Sequence, residues 1–205
     1  MVDFTYEFKD NSAVLEKYEW DNVWWECMDN VTYPRVLYIG DSISCGTRRF
    51  ATEISEGKIL FDGLGTSKAV DNPHFKDTVR LFAKQQYNRC AILFNNGLHG
   101  WHLSDKTEYK EHYVAIVNFL LEEFKETPLF LVLTSAVEDK ERNERVKVRN
   151  QVVLEIAEKY RLPVIDFYTI TDNHRECFTE DGVHLYEIGY RLLAKEAVEK
   201  VKSII

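Results

Sequence analysis

The stretch VLYIGDSISCG, residues 36–46, carries the pattern that decides the fold of this 205-residue chain. Its first four residues are apolar without alternation, which predicts a strand buried on both faces. A glycine and an acid end that run, two serines follow, and a helix is expected to start near Ser44. A buried strand that turns sharply into a helix is typical of a strand–helix–strand unit in a parallel sheet.

Similar short apolar runs recur along the chain and alternate with amphipathic stretches of helical spacing. The predicted strands cover residues 36–39, 59–64, 91–94, 129–133 and 164–167. The clearest predicted helices cover residues 109–124, 143–160 and 186–201. Strand–helix alternation requires crossover connections, so we predict an α/β chain: a three-layer α/β/α sandwich with a five-stranded parallel sheet, flavodoxin-like in outline.

Length and composition favour one domain over residues 1–205, with an α/β core over residues 34–205. Residues 1–33 contain Trp20, Trp24 and Trp25 but show no clean strand–helix unit. We expect them to form an aromatic-rich arm packed on the core. The alternative is that the arm flanks the pocket or forms a subunit contact.

Charge and hydropathy limit which binding partners and which cellular compartment are expected for this chain. The net charge is −8 and no basic cluster is present, so neither nucleic acid nor an anionic membrane is an expected partner. The N-terminus lacks a signal-peptide pattern and no apolar run reaches ~18 residues, so a cytoplasmic chain is expected. Four widely spaced cysteines without a CxxC pair predict reduced thiols: Cys27, Cys45, Cys90 and Cys177.

Ser42 is a candidate nucleophile, because it follows a buried strand and its own N–H would lie at a helix N-terminus, which favours an anion. The nucleophile elbow G-x-S-x-G has a second glycine where this chain has Ser44, so that motif does not match. The alternative is that Asp41, Ser42 and Ser44 only cap the helix.

A nucleophilic serine needs a base, and the base needs an orienting acid. Asp181 and His184 stand three residues apart with a glycine between them, just before the last predicted helix. A short turn there can direct the acid and the imidazole toward each other. A D-x-x-H pattern is common by itself, so its meaning depends on the rest of the site.

Two further loops offer hydrogen-bond donors at the same edge of the predicted sheet. Gly63 and Gly65 can present backbone N–H groups, and Asn95, Asn96 and His99 can present side-chain donors. Each loop alone is also an ordinary polar turn. Together with Ser42, Asp181 and His184 they supply the parts of an acyl-transfer site. No acid or cysteine pair accompanies His99 and His102, so a metal site is not expected.

These blocks together resemble the SGNH hydrolases, also called the GDSL esterase/lipase family, over residues 35–202. Residues 40–42, GDS, match the first block of the family, and residues 181–184, DGVH, match the last. The glycine of the second block corresponds to Gly65, with Gly63 as the alternative.

The third block, usually G-x-N-D, aligns with residues 97–100, GLHG, so that His99 stands where the family has asparagine. The resemblance implies an oxyanion hole formed by Ser42 N–H, Gly65 N–H and a side chain of the third loop. That side chain is Asn96 or His99, with Asn95 as an alternative.

The resemblance also implies an ester hydrolase that requires no metal ion and no organic cofactor. Ser42 attacks the ester carbonyl, His184 transfers the proton and Asp181 orients the imidazole. The expected substrate is a small-molecule or glycan ester with a short acyl group, such as acetyl on a carbohydrate or other polar alcohol.

Trp101 and His102 follow the third block and suit stacking on a sugar ring, with plain packing as the alternative. Other functions left open are a lipase or thioesterase of the same family, a phosphate-binding α/β domain and a non-catalytic ligand-binding protein.

Overall fold

The computed structural model describes residues 15–16 and 18–205, so most of the predicted arm's first 17 residues lie outside the described residues. The strands in this part are β1 Asp21–Trp24, β2 Arg35–Gly40, β3 Leu60–Thr66, β4 Arg89–Phe94, β5 Leu129–Leu133 and β6 Val164–Asp166. The α-helices are α1 Ser42–Ile54, α2 Phe75–Ala83, α3 Lys106–Glu123, α4 Lys140–Tyr160, α5 Phe167–Asn173 and α6 Glu187–Lys202.

The strands form one sheet in the order β1-β3-β2-β4-β5-β6. Strands β2 to β6 are parallel to one another. Counted from β2, their order is the flavodoxin-like 2-1-3-4-5, in which ligands bind outside the carboxyl ends of the strands. The prediction of a parallel α/β sheet with this outline is confirmed.

The predicted number of five strands is wrong, because the sheet described has a sixth strand at its edge. Strand β1 comes from the arm and pairs antiparallel with β3, with Asp21 opposite Thr66 and Trp24 opposite Gly63. All its residues are exposed, so it lacks the continuous apolar run by which buried strands are identified. An edge strand held by one neighbour carries little hydrophobic signal.

Helices cover both faces of the sheet and form the two outer layers. Val36 and Tyr38 of β2 point to one hydrophobic cluster, shared with α1, α5 and α6. Leu37 and Ile39 point to the other, shared with α2, α3 and most of α4. This burial of both faces explains why the apolar residues of the central strands do not alternate with polar ones.

Helix α1 begins at Ser42 and not near Ser44 as predicted, because Asp41 caps it. The Asp41 Oδ1 atom accepts a hydrogen bond from Ile43 N at 2.9 Å, and Ser44 Oγ donates to Asp41 O at 2.6 Å. A Cβ at Gly40 would lie 2.7 Å from Ser44 Cβ, so this close turn requires glycine. The turn places Ser42 at the carboxyl edge of the sheet.

A buried ion pair joins β2 to β3 and also binds the arm through Glu26 N. Arg35 Nε and Nη2 donate to Asp62 Oδ2 and Oδ1 at 2.8 and 2.9 Å, and both side chains are fully buried. Asp62 also accepts hydrogen bonds from Glu26 N at 2.7 Å and from Gln86 Nε2 at 2.7 Å. Each carboxylate oxygen is therefore satisfied, as a buried charge requires.

No helix in the part of the chain that the structure describes is long and apolar enough to span a membrane. The four cysteines are all free thiols.

Candidate active site

The structure brings Ser42, His184 and Asp181 together although they come from opposite ends of the core. His184 Nε2 lies 2.8 Å from Ser42 Oγ, and His184 Nδ1 lies 2.6 Å from Asp181 Oδ2. Both separations are hydrogen-bonding distances. The arrangement has the connectivity of a serine, a base that can accept its proton and an acid that orients the base.

A tight turn between Thr179 and His184 fixes the acid relative to the imidazole. The backbone N–H of Gly182 donates to Thr179 O, and that of Thr179 donates to His184 O, both at 2.9 Å. Gly182 has φ of +69°, which favours glycine at that position. The turn is braced from the loop after β5, since Glu138 N donates to Gly182 O at 2.8 Å.

Asp181 is held in its ionised form by the hydrogen bonds that it accepts. Oδ1 accepts from Thr179 Oγ1, Val183 N and His184 N, each at 2.9 Å. Burial acts to raise the pKa of Asp181, but the hydrogen bonds from the His184 imidazole and from these N–H groups outweigh it and hold the pKa well below its usual range. The other oxygen, Asp181 Oδ2, interacts with the His184 imidazole.

For Asp41, the acid next to the candidate nucleophile, the pKa is raised and not lowered. Asp41 is buried, and its Oδ2 atom has no hydrogen-bond partner within the described residues. Burial raises the pKa of Asp41, although the nearby His99 imidazole and the hydrogen bond from Ile43 N act to lower it. Asp41 serves α1 as its cap.

Gly63 and Gly65 both lie within β3 and not in the loop that follows it. Gly65 lies between Gly40 of β2 and Asn22 of β1. A Cβ on Gly65 would lie 2.2 Å from Cys45 Sγ, and one on Gly63 would lie 2.4 Å from the Arg48 guanidinium. The packing of α1 on β3 is thus close at both glycines, independently of the oxyanion role predicted for them.

The third loop separates its three candidate donors. Asn95 Nδ2 donates to Val132 O at 2.8 Å and Thr134 Oγ1 at 3.1 Å, which uses both amide hydrogens within the core and argues against Asn95 as an oxyanion donor. Asn96 Nδ2 donates to Lys68 O at 2.7 Å, which leaves one hydrogen.

His99 is buried beside the arm. Its Nδ1 atom has no hydrogen-bond partner within the described residues and lies 3.6 Å from Glu16 Oε1. The Trp20 ring meets the imidazole edge-on, with centroids 5.9 Å apart. The same indole lies 3.5 Å from the position of a Cβ on Gly65, so Trp20 stands between two candidate oxyanion residues.

Trp101 and His102 are placed differently from the prediction of a sugar platform. Trp101 is only 7% exposed, and the guanidinium carbons of Arg145 and Arg149 lie 4.6 Å from its ring centroid. His102 Nε2 lies 2.7 Å from Asp71 Oδ2 in a mostly buried pair. Packing, the alternative stated from the sequence, describes both side chains, because their surfaces are taken up by the protein.

Sequence reasoning missed two residues that support this site through hydrogen bonds, Glu16 and Thr179. Glu16 Oε1 accepts a hydrogen bond from Gly100 N at 2.8 Å, and Thr179 supports the acid. The tryptophans of the arm were the signal in that region, and an arm that flanks the pocket was only the alternative to an arm packed on the core. Within the described ranges, no group of three or more His, Cys, Asp or Glu side chains could hold a metal ion.

Sequence comparison gives no match to a protein-family model and no significant match to a curated protein. Solved structures match over most of the chain. The acetyl xylan esterase AlAXEase is 19% identical, covers 82% of this chain and 99% of its own, and superposes with a TM-score of 0.63. A lipolytic protein of the G-D-S-L family from Veillonella parvula is 21% identical, with coverages of 80% and 96% and a TM-score of 0.64.

A lipase/acylhydrolase from Enterococcus faecalis is 17% identical, with coverages of 83% and 96% and a TM-score of 0.65. Likeness at these identities establishes the architecture. The chain has the SGNH hydrolase fold, extended by the antiparallel strand β1, and the prediction of that fold is confirmed.

Proposed function

We propose that this protein is a serine ester hydrolase in which Ser42 is the nucleophile, His184 the general base and acid, and Asp181 the orienting acid. The observation that supports it most strongly is the continuous hydrogen-bonded chain from Ser42 Oγ through the imidazole to Asp181 Oδ2. A helix cap alone does not require an imidazole on Ser42 Oγ, so capping by itself leaves this contact unexplained.

In the proposed reaction, Ser42 Oγ attacks the ester carbonyl while His184 Nε2 takes its proton. The C–O bond to the alcohol then breaks, and the imidazolium returns the proton to the leaving alkoxide. Water attacks the acyl-enzyme with the imidazole again as base, which releases the acid and regenerates Ser42. Asp181 keeps the proton on Nδ1, so that Nε2 is the acceptor that the first step needs.

The oxyanion of the tetrahedral intermediate would be bound at the N-terminus of α1. Ser42 N–H lies there, and the helix dipole favours the negative charge. Gly65 N–H and a side chain from the third loop, Asn96 or His99, complete the proposed set. Asn96 Nδ2 keeps a second hydrogen beside the one that it donates to Lys68 O, and His99 Nδ1 lacks a hydrogen-bond partner in the described structure.

We infer a short acyl group, such as acetyl, on a carbohydrate or another polar alcohol as the substrate. One matched structure is an acetyl xylan esterase. The side chains of His184 and Asp181 are 43% and 53% exposed, so a bulky polar alcohol can reach the imidazole without entering a deep pocket. On the acyl side, Trp20 and Cys45 crowd the space around Gly65 and disfavour a long chain.

The test is covalent labelling followed by turnover. A fluorophosphonate should label the wild type and fail to label Ser42→Ala, and His184→Ala should lose hydrolysis of p-nitrophenyl acetate. Ser44→Ala is the matched control, since Ser44 Oγ is engaged with Asp41 O and should not react. Labelling that persists in Ser42→Ala would refute the nucleophile.

Substrate class is tested separately. Acetylated xylo-oligosaccharides and p-nitrophenyl acetate should be hydrolysed far faster than p-nitrophenyl octanoate. Faster hydrolysis of the octanoate would favour a lipase. A wild type that neither reacts with the probe nor hydrolyses any ester would instead support a non-catalytic binding protein.

A further inference from the structure

A single guanidinium on α4 binds most of the third loop. Arg149 is 3% exposed. Its two terminal nitrogens donate to four carbonyl oxygens, those of Gly97 at 3.1 Å, His99 at 2.6 Å, Gly100 at 2.6 Å and Leu103 at 3.3 Å. Its guanidinium carbon also lies 4.6 Å from the Trp101 ring centroid.

A second side chain acts on the same side of the loop. Tyr109 Oη donates to Asn96 O at 2.6 Å, and the Arg149 guanidinium lies over the Tyr109 ring at 4.5 Å. The carbonyls between Asn96 and Leu103 that Arg149 and Tyr109 bind therefore turn toward α3 and α4. In a trans peptide the N–H points away from the C=O, so the following N–H groups face the other way.

The peptide between His99 and Gly100 shows the consequence most clearly. Its carbonyl accepts from Arg149, while its N–H donates to Glu16 Oε1 at 2.8 Å. The backbone on which the His99 imidazole stands is thus held from both sides. One contact comes from α4 and the other from the N-terminal arm, so the loop conformation is determined by residues remote in sequence.

We propose that Arg149 is a positioning residue for the reaction, acting through the loop that carries Asn96 and His99. The inference rests on the proposed function, because it assigns Arg149 to the alignment of the oxyanion donors. The effect of Arg149 is to keep the third-loop donors aimed at the position where the oxyanion forms.

The guanidinium is suited to this task in a way that other side chains are not. Its planar fork offers five N–H donors, so it can bind several carbonyls at once while its face stacks on aromatic rings. Lysine offers a point charge with three donors and restores only part of this set. Methionine restores none and leaves buried carbonyls without partners.

The experiment compares Arg149→Met and Arg149→Lys with wild type on p-nitrophenyl acetate. Misplacing a positioned group by about 1 Å can cost roughly 10²-fold in rate, so we expect kcat to fall about 10- to 100-fold in Arg149→Met. KM should change less than about threefold, because the donors act on the transition state. The kcat of Arg149→Lys should lie between that of Arg149→Met and that of the wild type.

Arg145→Met is the matched control. It removes the other guanidinium from the Trp101 ring, at the same 4.6 Å, together with its hydrogen bond to Trp101 O, but leaves the four carbonyls that Arg149 binds. We expect its kcat to stay within about twofold of the wild type when both are assayed well below their melting temperatures. A kcat for Arg149→Met equal to that of Arg145→Met would overturn the proposal, whatever the melting temperatures.

A readout independent of turnover separates this inference from the proposed function. The NMR resonance of the His99 ring should shift or broaden in Arg149→Lys, and that of His184 should shift less. An unchanged His99 resonance would refute the positioning role. If the wild type is inactive and unlabelled by fluorophosphonate, the proposed function fails, while a His99 shift would still show that Arg149 sets the loop.

Discussion

Replacing Asp181 by Asn tests the orienting acid while leaving its turn intact. Asparagine keeps an Oδ1 acceptor for Thr179 Oγ1, Val183 N and His184 N, the three donors that hold Asp181 at 2.9 Å. What changes is the atom facing the imidazole. An amide nitrogen at the Oδ2 position donates, so His184 Nδ1 must accept and the proton moves to Nε2.

That tautomer is unable to act as the base. Nε2, which lies 2.8 Å from Ser42 Oγ, then carries a proton and cannot accept one from the hydroxyl. In buried triads the corresponding change lowers kcat by roughly 10⁴. Here the Asp181 side chain is 53% exposed, and water can compete with the amide. We therefore expect a loss of about 10³-fold, which is about 4 kcal/mol of transition-state stabilisation.

Stability should change much less than rate. The pKa of Asp181 is depressed in the folded protein, so the ionised carboxylate stabilises the fold above its ordinary pKa, and this contribution is lost as pH falls through the folded value. Because solvent screens an exposed pair, the cost of Asp181→Asn at pH 7 should be at most about 1 kcal/mol. A shift of roughly 2–4 °C in melting temperature is expected for a chain of this size.

The assay is kcat for p-nitrophenyl acetate at pH 7.5, together with the rate of fluorophosphonate labelling. Thr179→Val is the control, since it removes one hydrogen bond to Oδ1 at 2.9 Å but leaves the Oδ2 contact with the imidazole. Its kcat should stay within about tenfold of wild type. If Asp181→Asn also stays within tenfold, Asp181 does not orient the base and the reasoning is wrong.

Three further predictions concern stability, measured by thermal unfolding. Because burial raises the pKa of Asp41, its ionised form destabilises the fold as pH rises, so Asp41→Asn, which retains the cap, should melt higher than wild type at pH 8 and lose that advantage near pH 4. Gly65→Ala places a Cβ 2.2 Å from Cys45 Sγ and should cost about 1–3 kcal/mol. Adding Cys45→Ala to Gly65→Ala should recover most of that loss. If Gly65→Ala alone melts at the same temperature as the wild type, the packing argument is wrong. Arg35→Met leaves the Asp62 carboxylate buried and unpaired and should cost about 3–5 kcal/mol, whereas Arg35→Met with Asp62→Leu should cost clearly less.

The sequence predicts the parts of this fold in which a signal is local. Central strands are buried on both faces and show unbroken apolar runs, so β2 and β5 were located nearly to the residue. The long amphipathic helices were found for the same reason. The start of α1 was misplaced by two residues because Asp41 and both serines are all good caps, and only the geometry shows which one is used.

The candidate site also has one part that local sequence predicts and another part that it does not. Two short patterns contain Ser42, Asp181 and His184, and each pattern supplies a group that the other needs for catalysis by a serine. The structure brings these three side chains within hydrogen-bonding distance. The third loop was less predictable, because its conformation depends on Glu16 and Arg149. These residues lie 84 and about 50 positions from the groups they bind, and nothing in their local sequence marks them.

Exposure and burial serve different purposes at the two sides of this site. The imidazole and its acid are about half exposed on a short turn, which in the proposed reaction lets a large alcohol approach and leave. The loop opposite is held by a guanidinium that is 3% exposed and by a buried carboxylate, so its conformation is fixed by contacts away from solvent. Preorganised donors stabilise a transition state because they do not have to reorient when charge develops. In the proposed site, His99 can act as an oxyanion donor only if its position is fixed equally well. The contacts of Arg149 and Glu16 on either side of the His99–Gly100 peptide supply such a constraint.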